Sequence, residues 1–115
     1  MSIKILENKI SMAEVRELAK EFYETMIKGC VDIELKKVAL GGDYHMETCE
    51  LLVKDGSNHQ NVWGFNIRFE ENKNGILEFD SLVNIKPALG NRSRAISDEE
   101  VIKKSTEIIH SQIEF

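Results

Sequence analysis

Apolar side chains recur every three or four residues in two segments of the chain, the spacing of a helix that packs one face on a core. Ser11 and Glu14 have the spacing of a capping box at the start of the first segment, and Gly29 is suited to end it. Ser97 and Glu100 form the same kind of pair at the start of the second. The sequence therefore predicts two amphipathic helices. Their apolar stripes contain Val15, Leu18, Ala19, Phe22, Tyr23 and Met26 in the first, and Val101, Ile102, Ile108, Ile109 and Ile113 in the second.

Between these segments the apolar period changes to two, which is typical of β-strands. The pattern predicts strands over residues 44–54, 62–69 and 76–86. Over residues 31–40 the parity of the apolar positions changes, which predicts a kink, a bulge or two short strands near Lys36 and Lys37. Residues 46–52 leave a helical turn open as an alternative, because their apolar positions also fit a helix. We expect the strands to form an antiparallel sheet.

The turn before the last strand sets the register of the final strand pair. A three-residue loop that ends in a left-handed Gly75 places Phe65 opposite Val83, so that the aromatic side chains face the core. A two-residue turn would mix the faces and move aromatic side chains into water. The preferred register also puts Asn84 beside Gly64, a residue without a side chain that permits close approach of another group.

These elements predict an α+β fold, in which two amphipathic helices pack on one face of an antiparallel sheet of four or five strands. The length of 115 residues indicates one domain over residues 1–115. The second sheet face carries polar residues with Leu52 and Leu82 among them. We expect that face to be solvated or closed by a second copy of the chain, so a structural homodimer is one hypothesis.

Composition narrows the classes of function. The formal net charge of −5 argues against nucleic acid as a partner, because nucleic-acid affinity comes largely from neutralising phosphates. We expect no signal peptide and no membrane span, since no apolar run approaches about 20 residues. The two cysteines, Cys30 and Cys49, are too few for a disulfide scaffold. A cytoplasmic location with reduced thiols is the simplest expectation.

The segment over residues 84–94 follows a predicted strand and is rich in groups that bind anions. Gly90 lets the backbone approach a ligand, and Arg92 and Arg94 can each hold a carboxylate or phosphate in a forked contact. The alternative is a connecting loop whose arginines pair with the carboxylates of this chain. We hypothesise that a small anion, or an acidic group on a partner, binds here. The candidate ligand-binding residues are His45, Asn66, Asn84, Lys86, Gly90, Asn91, Arg92 and Arg94.

His45 raises two further alternatives. It can serve as the acid–base group of a hydrolase with Glu47 or Glu50, so the sequence leaves open whether the protein is an enzyme. On a strand, His45, Glu47 and Cys49 would point the same way, and all three are zinc ligand types. No close ligand pair such as Cys-x-x-Cys accompanies them. We therefore predict no metal site and no cofactor.

Several short strings resemble a small family of conserved hypothetical prokaryotic proteins. The family has no assigned activity, so the resemblance implies a compact domain of prokaryotic origin and no substrate. It extends over nearly the whole chain. The strings are Ala39-Leu40-Gly41-Gly42 with His45, Asp55-Gly56-Ser57, Val62-Trp63-Gly64-Phe65-Asn66, and Asn84-Ile85-Lys86-Pro87 with Gly90-Asn91-Arg92-Ser93.

Overall fold

The computed structural model describes residues 3–69 and 75–115, which form seven strands, three α-helices and three 3₁₀ turns. The strands are β1 (Lys4–Ile5), β2 (Ile10–Ser11), β3 (Met26–Asp32), β4 (Lys37–Leu40), β5 (Val62–Arg68), β6 (Ile76–Glu78) and β7 (Ile113–Glu114). The helices are α1 (Met12–Ala19), α2 (His45–Lys54) and α3 (Glu99–Gln112). The 3₁₀ turns are His59–Asn61, Leu82–Asn84 and Pro87–Leu89.

Five of the strands form one antiparallel sheet in the order β1-β4-β3-β5-β6. The short strands β2 and β7 pair in parallel and tie the start of α1 to the end of α3. Helices α1 and α3 pack on one face of the large sheet, where Trp63, Phe65 and Ile67 of β5 enter the main core. The predicted α+β class, the antiparallel sheet and the shared face of these three side chains are confirmed.

A third helix covers part of the second sheet face, which corrects the expectation that this whole face is open. Helix α2 lies on that face, and Cys49 and Leu52 pack there with Cys30, Val62 and Val83 in a second core. Leu52 is therefore fully buried inside the protein. This covered region cannot serve as the homodimer surface that the sequence suggested.

The strand predicted over residues 44–54 is wrong, because His45–Lys54 form a helix that includes the helical turn held as the alternative over residues 46–52. Thr48, Cys49 and Leu52 are buried at helical spacing. The side chain of Glu47 accepts hydrogen bonds from the backbone N–H groups of Asp43 and Tyr44, at 2.8 and 2.9 Å. These two bonds satisfy donors at the start of the helix, where no helical carbonyl is available.

The first helix is shorter than predicted, and the central strand of the sheet follows it. Helix α1 begins after Ser11 as expected, but it ends at Ala19. Gly29 does not end a helix, because it lies within β3, where an added Cβ would be 2.6 Å from the Phe65 ring. The apolar residues 22–26 fit a helical stripe, yet pairing of β3 with two neighbouring strands overrides that local pattern.

Helix α3 begins one residue later than the capping box predicted. Asp98 is its N-cap and accepts a hydrogen bond from the Glu100 backbone N–H at 2.9 Å. Ser97 instead donates its hydroxyl to the side-chain oxygen of Asn91 at 2.8 Å. A serine and an aspartate both make good caps, so the competing contact decides between them.

The register of the last strand pair differs from the prediction by four residues. Ile67 pairs with Leu77, so the face parity is right, but this register carries Phe65 towards Phe79 rather than Val83. Gly75 is left-handed at φ 88°, as predicted, and the rest of the predicted loop lies outside the described residues. Strand β6 ends at Glu78, and the rest of the strand predicted over residues 76–86 is replaced by irregular chain that contains the 3₁₀ turn Leu82–Asn84.

Beyond β6, the side chain of Asn84 takes the place of a strand partner. Its amide accepts a hydrogen bond from the Gly64 N–H at 2.7 Å and donates one to the Gly64 carbonyl at 3.0 Å. The expected neighbourhood of Gly64 and Asn84 is thus present, although the two residues do not belong to paired strands. Ser81 packs against the same glycine, since an added Cβ would lie 2.5 Å from both its Cβ and its Oγ.

We predict that Gly64→Ala lowers the free energy of unfolding by about 2 kcal/mol, the usual cost of overfilling a packed site. The double variant Gly64→Ala with Ser81→Gly removes the clashing atoms and is expected to lose less than the sum of the two single changes. Urea denaturation measures all three variants. Additive losses in the double variant would show that the clash with Ser81 is not the cause.

Candidate functional site

A cleft of about 500 Å³ opens on the part of the second sheet face that α2 leaves uncovered. Its walls come from the start of α2, from β3 and β5, and from the segment between β6 and α3. Tyr44, Met46 and Leu82 are the large apolar residues at its margin, and each is substantially exposed. A cavity of this volume lies within the usual range of small-molecule binding sites.

Three cationic side chains from separate elements line this cleft. Lys28 of β3 donates to the main-chain carbonyl of Asp43 at 2.8 Å. Arg68 of β5 forms an ion pair with Glu78 at 2.9 Å. Arg94, which follows the 3₁₀ turns, forms an ion pair with Asp80 at 2.7 Å.

Aromatic rings surround the Lys28 ammonium group. Its Nζ lies 5.0 Å from the centroid of Tyr23 and 5.6 Å from that of Tyr44. The Tyr23 hydroxyl donates to the Asp43 carboxylate at 2.6 Å, and this hydrogen bond is the main reason why the pKa of Tyr23 is raised. The rings hold Lys28 through cation–π attraction without neutralising its charge.

His45 and Asn66 line the inner part of the cleft. The Nε2 atom of His45 lies 2.9 Å from the Phe65 carbonyl and donates to it, which fixes the ring. Burial lowers the pKa of His45, and the hydrogen bond to Phe65 opposes that shift. Asn66 donates to the Glu78 carboxylate at 3.0 Å and to the Asp80 carbonyl at 3.1 Å, so it links β5 to the strand end that carries these acids.

Asn84 and Asn91 serve the framework behind the cleft. Besides Gly64, the amide of Asn84 binds the Arg94 carbonyl at 3.0 Å. The side chain of Asn91 donates to the carbonyls of Asn84, Ser93 and Ala95 and accepts two hydrogen bonds from Ser97. Both side chains are buried and fully engaged with the protein, so the geometry does not offer them to a ligand.

Lys86 is also buried, with only 3% of its surface exposed, and it does not line the cleft. Its Nζ donates to the His59 carbonyl at 2.9 Å and lies 5.2 Å from the centroid of the Trp63 ring. Within the described part of the chain, no carboxylate forms an ion pair with this ammonium group. Burial lowers the pKa of Lys86, while the neighbouring thiols of Cys49 and Cys30 act in the opposite direction.

The remaining predicted residues lie apart from the cleft. Gly90 is left-handed at φ 79° and closes the Pro87–Leu89 turn, so it serves chain geometry. Arg92 is exposed and is not part of the cleft lining. Of the eight predicted residues, the structure brings His45, Asn66 and Arg94 together around the cleft, with Asn84 directly behind them.

Sequence reasoning missed Lys28, Arg68 and the apolar margin of the site. The predicted first helix extends to Gly29 and so includes Lys28, which hides its place on a strand. The useful signal is the string Lys28-Gly29-Cys30-Val31-Asp32, in which charged residues lie at both ends of a short apolar run, as in a strand. Arg68 lies in the strand predicted over residues 62–69, but the sequence pattern does not reveal the cavity beside it.

The chemistry proposed for a hydrolase or a metal site finds little support in this geometry. The Glu47 carboxylate is engaged at the start of α2 and does not orient His45. Cys30 and Cys49 are both buried in the second core, and burial raises the pKa of Cys30 to about 12 and also raises the pKa of Cys49, which disfavours the reactive thiolate. In residues 3–69 and 75–115, no three His, Cys, Asp or Glu side chains group together as metal ligands would.

No helix in the described ranges combines the length and the apolar character that crossing a membrane requires. The described residues form a small α+β fold with a cleft that is lined by both cationic and apolar side chains.

The comparison with protein-family models places this domain in a family. A model described as a protein of unknown function, DUF5674, matches residues 4–112. Because the match covers nearly the whole chain, the protein belongs to this uncharacterised family, as the resemblance implied. No curated protein and no solved structure matches the chain.

We predict that Lys86→Met leaves the free energy of unfolding at pH 7 unchanged or raises it by about 1 kcal/mol, because methionine fills a similar volume without a buried charge. The pKa of Lys86 is lowered in the folded state, so the penalty is complete at low pH and is relieved as pH rises towards the ordinary value of 10.5. The advantage of the variant should therefore shrink between neutral and alkaline pH. Urea denaturation at pH 7 and pH 10 measures it, and a variant clearly less stable than the parent at pH 7 would contradict the prediction.

Proposed function

We propose that the protein is a binding domain that holds the anionic group of a ligand in the cleft between α2 and the segment that follows β6. The observation that carries this proposal is the convergence of Lys28, Arg68 and Arg94 on one cleft. The chain has a formal net charge of −5. Arg68 and Arg94 form ion pairs with Glu78 and Asp80, and Lys28 forms none with a described carboxylate, which leaves it able to pair with an anion. Fixed positive groups at a partly desolvated site attract an anion more strongly than they would in water.

The sequence suggested a site at the loop over residues 90–94. The site that we propose lies in the cleft beside this loop. Arg94 is the only member of that loop among the cleft-lining residues described, and its ion pair with Asp80 directs it towards the cavity. Asn84 supports this arrangement by holding the Arg94 main chain. The framework residues therefore position the site, and the cations and apolar side chains form it.

We predict that Arg94→Gln weakens binding of an anion about tenfold, because it removes a charge-assisted hydrogen bond at the site. Phosphate, a mononucleotide, a dicarboxylate and a monocarboxylate serve as probes, and NMR titration of the cleft residues measures binding. Arg92→Gln is the matched control, since it removes the same charge two residues away and outside the cleft. Equal effects of the two changes would show that only general electrostatics is at work. No chemical-shift change at the cleft with any probe would refute the proposal.

Other expectations from the sequence accompany this proposal. We keep a single domain, a cytoplasmic location and a prokaryotic origin as predictions. A homodimer is not proposed through the sheet face, because α2 covers the part of that face on which Leu52 lies. A hydrolase is not proposed either. The ring of His45 is held by a backbone carbonyl, Glu47 is engaged at the start of α2, and Glu50, the other suggested partner, does not line the cleft that contains His45.

A further inference from the structure

We infer that the ligand of this cleft is a monoanion attached to an apolar body, such as a carboxylate on a short alkyl chain or an aromatic ring. This inference rests on the proposed function, because it names the class of anion that the same site takes. Two features of the cleft support this inference: the ion pairs of its charged side chains and the apolar side chains at its margin.

Lys28 is the one cation of the cleft lining that forms no ion pair with a carboxylate in the described part of the chain. Arg68 and Arg94 are each paired with a carboxylate of the protein, Glu78 and Asp80 respectively. Lys28 donates to neutral oxygens instead, the Asp43 carbonyl at 2.8 Å and the Tyr23 hydroxyl at 3.4 Å.

The Asp43 carboxylate accepts a hydrogen bond from the Tyr23 hydroxyl and keeps its negative charge, but it forms no ion pair with Lys28. A single ligand carboxylate would supply that ion pair. A phosphate ester or a dicarboxylate would bring further negative charge close to Glu78 and Asp80, and like charges at this distance repel.

The margin of the cleft is apolar and faces water. Leu82 is 71% exposed, Tyr44 65% and Met46 46%, and all three line the cavity. Val83 lies deeper in the same wall and is buried. Hydrated inorganic anions gain nothing from these groups, whereas an apolar body that covers them removes apolar surface from water on both sides. The methionine adds an adaptable contact, because its unbranched side chain follows irregular shapes.

The test compares probes that separate charge from apolar body, with binding to the intact chain measured by isothermal titration calorimetry and by NMR shifts of the cleft residues. Octanoate and 3-phenylpropionate carry both features. Acetate has the charge alone, octanamide has the alkyl body alone, and citrate and adenosine monophosphate carry more than one negative charge. We expect octanoate and 3-phenylpropionate to bind at least tenfold more tightly than each of the other four probes.

N-Acetylphenylalanine adds a probe for the source of the ligand, since it represents the C-terminal residue of a peptide. Tighter binding than that of 3-phenylpropionate would identify a chain terminus as the carboxylate. Weaker binding would identify a free acid. Both results keep the inferred class.

Two substitutions in the cleft and one control outside it test whether octanoate binds at this site. Leu82→Ser should weaken octanoate binding at least threefold and leave the binding of acetate unchanged, because it removes apolar contact alone. Leu89→Ser is the matched control, since Leu89 is 54% exposed on the next 3₁₀ turn and does not line the cleft. Lys28→Gln should remove the preference for octanoate over octanamide. Thermal unfolding of each variant establishes that the fold is intact, and the exposure of both leucines makes their removal harmless to it.

The outcomes separate the two proposals. Binding of citrate or adenosine monophosphate at the cleft as tightly as octanoate would overturn the inferred ligand class and leave the anion site in place. Equal binding of octanoate and octanamide would likewise overturn the class, since charge would then have no part. Absence of any shift at the cleft with all anions would overturn the proposed function as well. A loss of octanoate affinity in Leu89→Ser equal to that in Leu82→Ser would refute the location.

Discussion

The side chain of Asn84 completes the hydrogen bonding of the sheet at the point where β6 has ended. Strand β5 would otherwise leave the N–H and carbonyl of Gly64 unpaired in a buried position, at a cost comparable to lost hydrogen bonds. A primary amide can satisfy both groups because it carries a donor and an acceptor side by side. The segment after β6 therefore does not need to continue as a strand, and the residues between β6 and α3 form one wall of the cleft.

The polar residues of the segment over residues 84–94 form a connected framework rather than a binding loop. Asn84 holds the Arg94 main chain, and Asn91 holds the main chain at Asn84, Ala95 and Ser97. Each of these amides is buried with its hydrogen-bonding capacity used, which is the condition under which a buried polar group fixes a conformation. Their consequence for function is indirect, because the framework sets the position at which Arg94 meets Asp80 and the cleft begins.

The two faces of the sheet differ in a way that explains where a site can exist. Helices α1 and α3 close one face with a continuous core, while the ten-residue helix α2 covers only part of the other. The uncovered part begins at the start of α2, so that Tyr44 and Met46 stand at the margin of a cavity floored by β3 and β5. Positive charge from Lys28 and Arg68 reaches this cavity because both side chains belong to the face that the short helix leaves open.

The sequence by itself determined the features that depend on local patterning: the starts of the first and last helices to within a residue, the side-chain parity of β5, the left-handed Gly75, and the class of the fold. These follow from capping geometry and from the alternation of apolar residues, which neighbouring residues alone enforce. The tertiary structure decided the rest. Residues 26–32 became the central strand because two partners pair with them, and residues 44–54 became a helix because its apolar side fits the second sheet face. A shift of the strand pairing by an even number of residues keeps every side chain on the same face of the sheet. The pattern of apolar residues therefore cannot detect the four-residue shift of β6, which only the paired structure shows. Whether a lysine is buried like Lys86 or lines a cavity like Lys28 depends on contacts between distant segments, and no local pattern contains them.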